Sequence, residues 1–266
     1  MHLLLLAACT GPVDTDPLPL DTSEAFETDV SVEEPWVLIP GGTFLMGSAG
    51  PDAEYDEQPQ HEVTVGRFAI LRHEVLVSDY AGCVADGVCT LPDPGCFDPS
   101  TPPNTPMTCI DWIKAADVCW WLGGRLPSES EWEFAATSRG TADTEYPWGD
   151  EPYDCTRANT GLAEDGGASC GSGEGPWLPC THPAGDTPLG LCEMGGNVFE
   201  WTADFYWDDY TGHPTDGSAR TDMLFDFRVM RGGGVGSIVE PRVRERTYHP
   251  TDFYYGGMGA RCAMDL

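Results

Sequence analysis

The cysteines narrow this chain's chemistry most. The 266 residues include eleven cysteines, none in the paired C-x-x-C spacing of zinc ribbons. They therefore read as a disulfide framework formed in an oxidising compartment. With Cys9 set apart as a separate case, ten remain, an even number that permits complete pairing. Proximity pairs Cys83 with Cys89 and Cys96 with Cys109. No cysteine lies between Cys192 and Cys262.

Carboxylates come next. Glu193 and Glu200 flank Gly196-Asn197, where a turn brings two carboxylates to one point and aims the carbonyls of Gly196 and Val198 inward. Such a flexible, all-oxygen set suits structural Ca²⁺. The alternative is a Glu200 that only accepts backbone hydrogen bonds. Arg242, Arg244 and Arg246 alternate, so a strand there puts three guanidiniums on one face. They either pair with carboxylates such as Glu131, Glu133 or Glu240, or line a cleft for an acidic ligand or peptide. Tyr248, His249, Phe253, Tyr254 and Tyr255 follow them and suit stacking on a sugar or peptide as well as they suit a core. His61, His73, His182, His213 and His249 show no i, i+4 pairing for zinc and receive no role.

The formal net charge is −31, and Lys114 is the only lysine. The resulting field repels nucleic acid and anionic lipid, so neither is an expected partner. No apolar run is long enough for a membrane-spanning helix. Residues 1–9 end Leu-Ala-Ala-Cys and resemble a lipoprotein signal, with Cys9 carrying the lipid as the sole attachment to a membrane. Residues 10–34 are acidic, aperiodic and free of basic residues, which is expected of an extended spacer. The expected location is outside the cytoplasm, on a bacterial cell envelope.

The elements that must position these groups are short. Trp36–Ser48 reads as an opening hairpin around Pro40-Gly41-Gly42, and His61–Val65 alternates like a half-buried strand. A first helix is expected over Trp112–Leu122, capped by Asp111 and closed by Gly123-Gly124. A second starts at the capping box formed by Ser128 and Glu131. From Asp150 to about Pro188 the chain is rich in Gly, Pro, Asp and Cys and reads as long disulfide-held loops.

Six strings then follow in order: Pro40–Ser48, Arg125–Glu133, Tyr146–Gly149, Gly196–Trp201, Arg228–Gly233 and Gly259–Cys262. Together they resemble the successive motifs of the sulfatase-modifying-factor (formylglycine-generating enzyme) family, over residues 35–266. The resemblance implies an α+β fold: one compact, loop-rich, C-type-lectin-like, disulfide-stapled domain with structural calcium, expected as a monomer. It also implies that Cys119 pairs with Cys262, leaving Cys155, Cys170, Cys180 and Cys192 undecided, and that a second calcium site uses Asn159 near Asp165. Catalytic relatives bind copper through two cysteines shortly after the Arg-Gly-Gly motif. By counting, Ser237 and Arg242 stand in those places, and neither supplies the soft thiolate that Cu(I) selects. The expectation is a non-catalytic module binding a protein, peptide or glycan, with no copper. The alternative is a formylglycine-generating or other oxidase with a rearranged thiol site, for which Cys192 is the one candidate ligand.

Overall fold

In the computed structural model, residues 32–51, 53–141, 143–161, 170, 175–236 and 240–266 are described. The expected signal and most of the acidic spacer, including Cys9, lie outside them, as do Ser237 and Asp165.

Nine short strands and three helices follow one another among the described residues. Strand β1 (Trp36–Ile39) is followed by β2 (Gly42–Met46), β3 (His61–Val65) and β4 (Phe68–Leu71). Three helices come next, α1 (Val77–Ala85), α2 (Trp112–Trp121) and α3 (Glu129–Ala136). The remaining strands are β5 (Phe199–Phe205), β6 (Phe227–Arg231), β7 (Thr247–Pro250), β8 (Met258–Gly259) and β9 (Ala263–Asp265).

Residues 36–48 do not form the expected hairpin. β1 pairs antiparallel with β4, β2 pairs antiparallel with β3, and the Pro40-Gly41 link passes the chain from one sheet to the other. A Cβ on Gly41 would stand 2.7 Å from the Val65 carbonyl oxygen, so the close approach of the two backbones requires glycine there. In β2 and β3 alternate side chains (Phe44, Met46, Val63, Val65) are buried, as the period-two pattern demands. A three-stranded sheet runs β1-β4-β9 and a four-stranded one β7-β6-β5-β8, the last pair parallel.

Asp111 caps α2 as expected, its Oδ1 accepting the Lys114 N–H at 2.9 Å, and Gly123 (φ 84°) takes the left-handed place that ends it. Helix α1, absent from the sequence reading, precedes it. Its N-cap position is held by Leu76, which has no polar side chain, and Asp79 instead accepts the Leu76 N–H at 2.9 Å. Helix α3 begins at the expected capping box, with Ser128 Oγ accepting the Glu131 N–H and Glu131 accepting the Ser128 N–H. All eight of its residues are buried, including three glutamates. A buried carboxylate needs a partner, and each has an arginine: Glu129 with Arg246, Glu131 with Arg125, Glu133 with Arg231.

Two apolar cores result. One gathers α1 and α2 against Trp201, Met230 and Phe199, and the other gathers β2, β3 and β4 against Trp132 and Phe134 of α3.

Candidate functional site

The loop entering β5 carries an unusual backbone. Glu193 (φ 52°) and Asn197 (φ 68°) are both left-handed, a conformation non-glycine residues hold only where the surroundings impose it. Hydrogen bonds impose it here. Gly196 N–H donates to Gly232 O (2.6 Å), Asn197 N–H to Asn159 O (2.7 Å) and Val235 N–H to Asn197 O (2.9 Å). The buried Asn197 amide donates to Glu74 Oε1 (2.9 Å) and accepts the Trp177 N–H (2.7 Å).

Three buried carboxylates gather around this loop. Glu200 accepts the Trp132 indole N–H (2.6 Å) and, on both oxygens, the Arg261 guanidinium. Glu193 accepts the Cys180 N–H at 3.0 and 3.1 Å. Glu74 is wholly buried and its Oε2 has no hydrogen-bond partner. Burial pushes the Glu193 carboxyl up to about 7, against the pull of the Cys180 N–H and Arg261. Burial, then the neighbouring Glu193, pushes Glu74 well above the ordinary carboxylate range. Asn159 joins the same cluster through Asn197, and its Oδ1 is also unpartnered. The carbonyls of Gly196 and Val198 lie within the same loop. Arg261 and Trp132 already occupy both Glu200 oxygens, so the buried oxygen left over is that of Glu193, Glu74 Oε2 and Asn159 Oδ1, all of the hard kind that oxygen-seeking cations take. Glu74 and Asn197 were missed in the sequence. The first follows a β-strand with no motif around it, and the second was read only as turn geometry.

The segment after β6 differs from its expectation. Arg242, Arg244 and Arg246 do not sit on a strand. Their stretch is a turn leading into β7, so each guanidinium leaves in its own direction. Pro241 before Arg242 removes a donor N–H, which disfavours a sheet ladder there. Arg242 meets buried Glu57 at 2.9 Å and also Glu245, with Glu54, Glu145 and Glu240 at 3.4–3.9 Å. Arg244 binds Asp143 (2.6 Å) and the carbonyls of Gly47 and Thr144, and borders an open groove of about 330 Å³ with Gln60 and Glu62. Arg246 grips Glu129 with two hydrogen bonds at 2.7 and 3.0 Å. Of the carboxylates expected to pair with them, Glu131 and Glu133 are taken by Arg125 and Arg231, and Glu240 stands at the edge of contact with Arg242. Tyr248 stacks on Tyr206 at 3.9 Å and remains 42% exposed.

The ten cysteines from Cys83 onward form five disulfides: Cys83–Cys89, Cys96–Cys109, Cys119–Cys262, Cys155–Cys170 and Cys180–Cys192. Cys192, the candidate rearranged ligand, is thus bonded to Cys180 and offers no thiolate.

Short strands, three helices and five crosslinks around long loops define a disulfide-stapled domain of the formylglycine-generating-enzyme and C-type-lectin-like fold. The solved structure of PvdO from Pseudomonas aeruginosa superposes with a TM-score of 0.70 at 27% identity, covering 87% of this chain and 94% of that one. Treponema denticola variable protein 1 shares the fold at a TM-score of 0.67, over 87% of this chain and 95% of its own. Residues 22–266 match the sulfatase-modifying factor enzyme 1-like domain, and the chain belongs to that family. The formylglycine-generating enzyme of Thermomonospora curvata is 31% identical, over 86% of this chain and 93% of that protein. The mouse protein named inactive C-alpha-formylglycine-generating enzyme 2 is 28% identical, over 85% of this chain and 84% of its own.

Proposed function

We propose that this family member is a non-catalytic binding module. One observation carries the reading: the cysteines of the folded body are spent on disulfides, and the second of the two places that catalytic relatives give to cysteine holds Arg242, bound to Glu57 and Glu245. A copper ion does not fit. Cu(I) selects thiolate or thioether sulfur, and a disulfide sulfur or a guanidinium supplies neither.

What remains near that segment is a surface suited to contact. Tyr206, Tyr248, Phe227 and Phe225 form a ladder with successive centroid separations of 3.9, 5.2 and 6.3 Å. Phe225 is 59% exposed. Exposed aromatic rings supply rigid area for a peptide or the apolar face of a sugar. In this reading, calcium held by Glu193, Glu200 and the carbonyls of Gly196 and Val198 stiffens the loop beneath β5. Cys9 carries a lipid, and the acidic stretch before the body spaces it from a bacterial envelope.

The test is direct. Purified protein is given Cu(I), oxygen and a cysteine-containing sulfatase peptide, and aldehyde is measured. The expected result is none above background. Turnover at an enzymatic rate overturns the reading in favour of an oxidase.

A further inference from the structure

A second cluster lies away from the Glu193 loop and has no part in the reading above. It joins Glu129, the first residue of α3, to Asp204 of β5 and His213 in the loop beyond β5. Their side chains are at most 1% exposed. His213 Nε2 stands 3.5 Å from Asp204 Oδ1 and 4.0 Å from Glu129 Oε2, and one ligand atom from each of the three residues lies within 4.8 Å of the others.

The tautomer of His213 follows from its other nitrogen. Nδ1 faces the Pro214 carbonyl at 3.0 Å, and a carbonyl only accepts, so Nδ1 carries the proton. In the neutral ring Nε2 is then a bare lone pair, buried and without a donor to accept from, whereas a protonated ring would donate from it to Asp204 Oδ1 at 3.5 Å. His61 on β3 repeats the arrangement. Its Nδ1 faces Pro59 O at 2.9 Å, its Nε2 is buried and unpartnered, and its ring lies 5.5 Å from that of His213. An imidazole whose Nδ1–H is anchored on a carbonyl while Nε2 points at carboxylates is oriented as metal-binding histidines are.

The carboxylates are oriented as well. Asp204 accepts the backbone N–H groups of Glu129 (2.6 Å) and Arg220 (2.7 Å), and Glu129 is fixed by Arg246. Zinc-type bonds of roughly 2.0–2.1 Å in a tetrahedron place ligand atoms about 3.3 Å apart. The observed separations of 3.5 and 4.0 Å from His213, and at most 4.8 Å between the carboxylates, are wider than this, so binding would draw the three side chains together.

The surrounding charges set the affinity. Arg246 (2.7 Å) and Arg231 (3.7 Å) face Glu129, and Glu133 is bound to Arg231. Asp204 is thus the one carboxylate of the group without an arginine. We propose that Glu129, Asp204 and His213 form a buried site for a divalent transition-metal ion of the zinc or cobalt class, with His61 beside its fourth position. One imidazole with two carboxylates suits such borderline ions better than it suits calcium. The two arginines hold the affinity to a moderate level.

The test uses the intact, disulfide-bonded protein, stripped of metal and held in excess calcium at physiological salt so that hard-cation sites are saturated. Cobalt(II) is titrated while its visible d–d absorption is recorded, and zinc is used to displace it. The expected outcome is one saturable equivalent, lost or weakened by about 10- to 100-fold or more in H213Q and D204N. Since either variant disturbs a buried cluster, wild-type crystals soaked in cobalt supply an independent readout, an anomalous peak between the three side chains. A peak elsewhere, no saturable equivalent, or undiminished binding by a folded H213Q overturns the proposal. So does a wild-type His213 that takes a proton on Nε2, seen by nitrogen NMR, while cobalt is refused.

Discussion

Arg261 and Glu200 face each other with no more than 1% of either side chain exposed, the guanidinium donating to Oε1 at 2.7 and 2.9 Å and to Oε2 at 3.1 Å. The same guanidinium donates to the carbonyls of Leu71 and Cys192, so one side chain ties β4, the loop before β5 and the C-terminal segment together. Removing one partner of a buried pair strands the other. R261M is therefore expected to cost about 3–5 kcal/mol in denaturant unfolding, and R261M combined with E200Q less than R261M alone. A double variant as unstable as the sum of its parts would show that the pair is not coupled.

Crosslinks should differ in worth according to the loop they close. Cys119–Cys262 spans 143 residues and Cys83–Cys89 spans 6. Chain entropy assigns about 5 kcal/mol to the first and about 2–3 to the second. Replacing each pair by alanine and comparing unfolding free energies checks the order.

Calcium, if held at the Glu193 loop as proposed above, should add to stability by mass action. At ten times its dissociation constant it contributes about 1.4 kcal/mol, which for a domain of this size is a fall of roughly 3–6 °C in melting temperature on chelation. Restoration by Ca²⁺ and not by Zn²⁺ assigns the effect to the oxygen-rich loop. A melting curve indifferent to chelator removes calcium from the description.

Glu245 makes stability depend on pH. Burial raises its carboxyl to about 7, with Arg242 opposing the shift. In the folded chain it thus holds a proton that the unfolded chain has already released above its ordinary value of 4.5. Its contribution is complete below that value and is lost as pH rises towards 7. E245Q should flatten this decline when unfolding is compared at about pH 5 and about pH 7.5. An equal decline in both proteins would place the dependence elsewhere.

Local signals were legible wherever a side chain acts on its own backbone. Asp111 and Ser128–Glu131 announced two helix starts, and alternation announced β3. Helix α1 went unread because Leu76 occupies the capping position and Asp79 does the work from inside the helix. The hairpin at residues 36–48 failed for a tertiary reason: β1 and β2 have better partners in β4 and β3. Pairing of Cys155 with Cys170 and Cys180 with Cys192 was beyond sequence, since four cysteines in a loop-rich stretch allow three connectivities. His61 and His213 lie far apart in sequence without motif spacing, and only the packing of β3 against the loop beyond β5 brings their rings together.

The sheet order β1-β4-β9 has a consequence for biogenesis. β9 pairs with β4, Cys262 binds α2, and Arg261 neutralises Glu200, all through residues 261–265. A chain emerging in order from a ribosome or a translocation pore has no way to seal either apolar cluster early. Both clusters therefore stay incomplete until residues 261–265 are available, and deleting β9 should yield protein that is degraded rather than merely weakened.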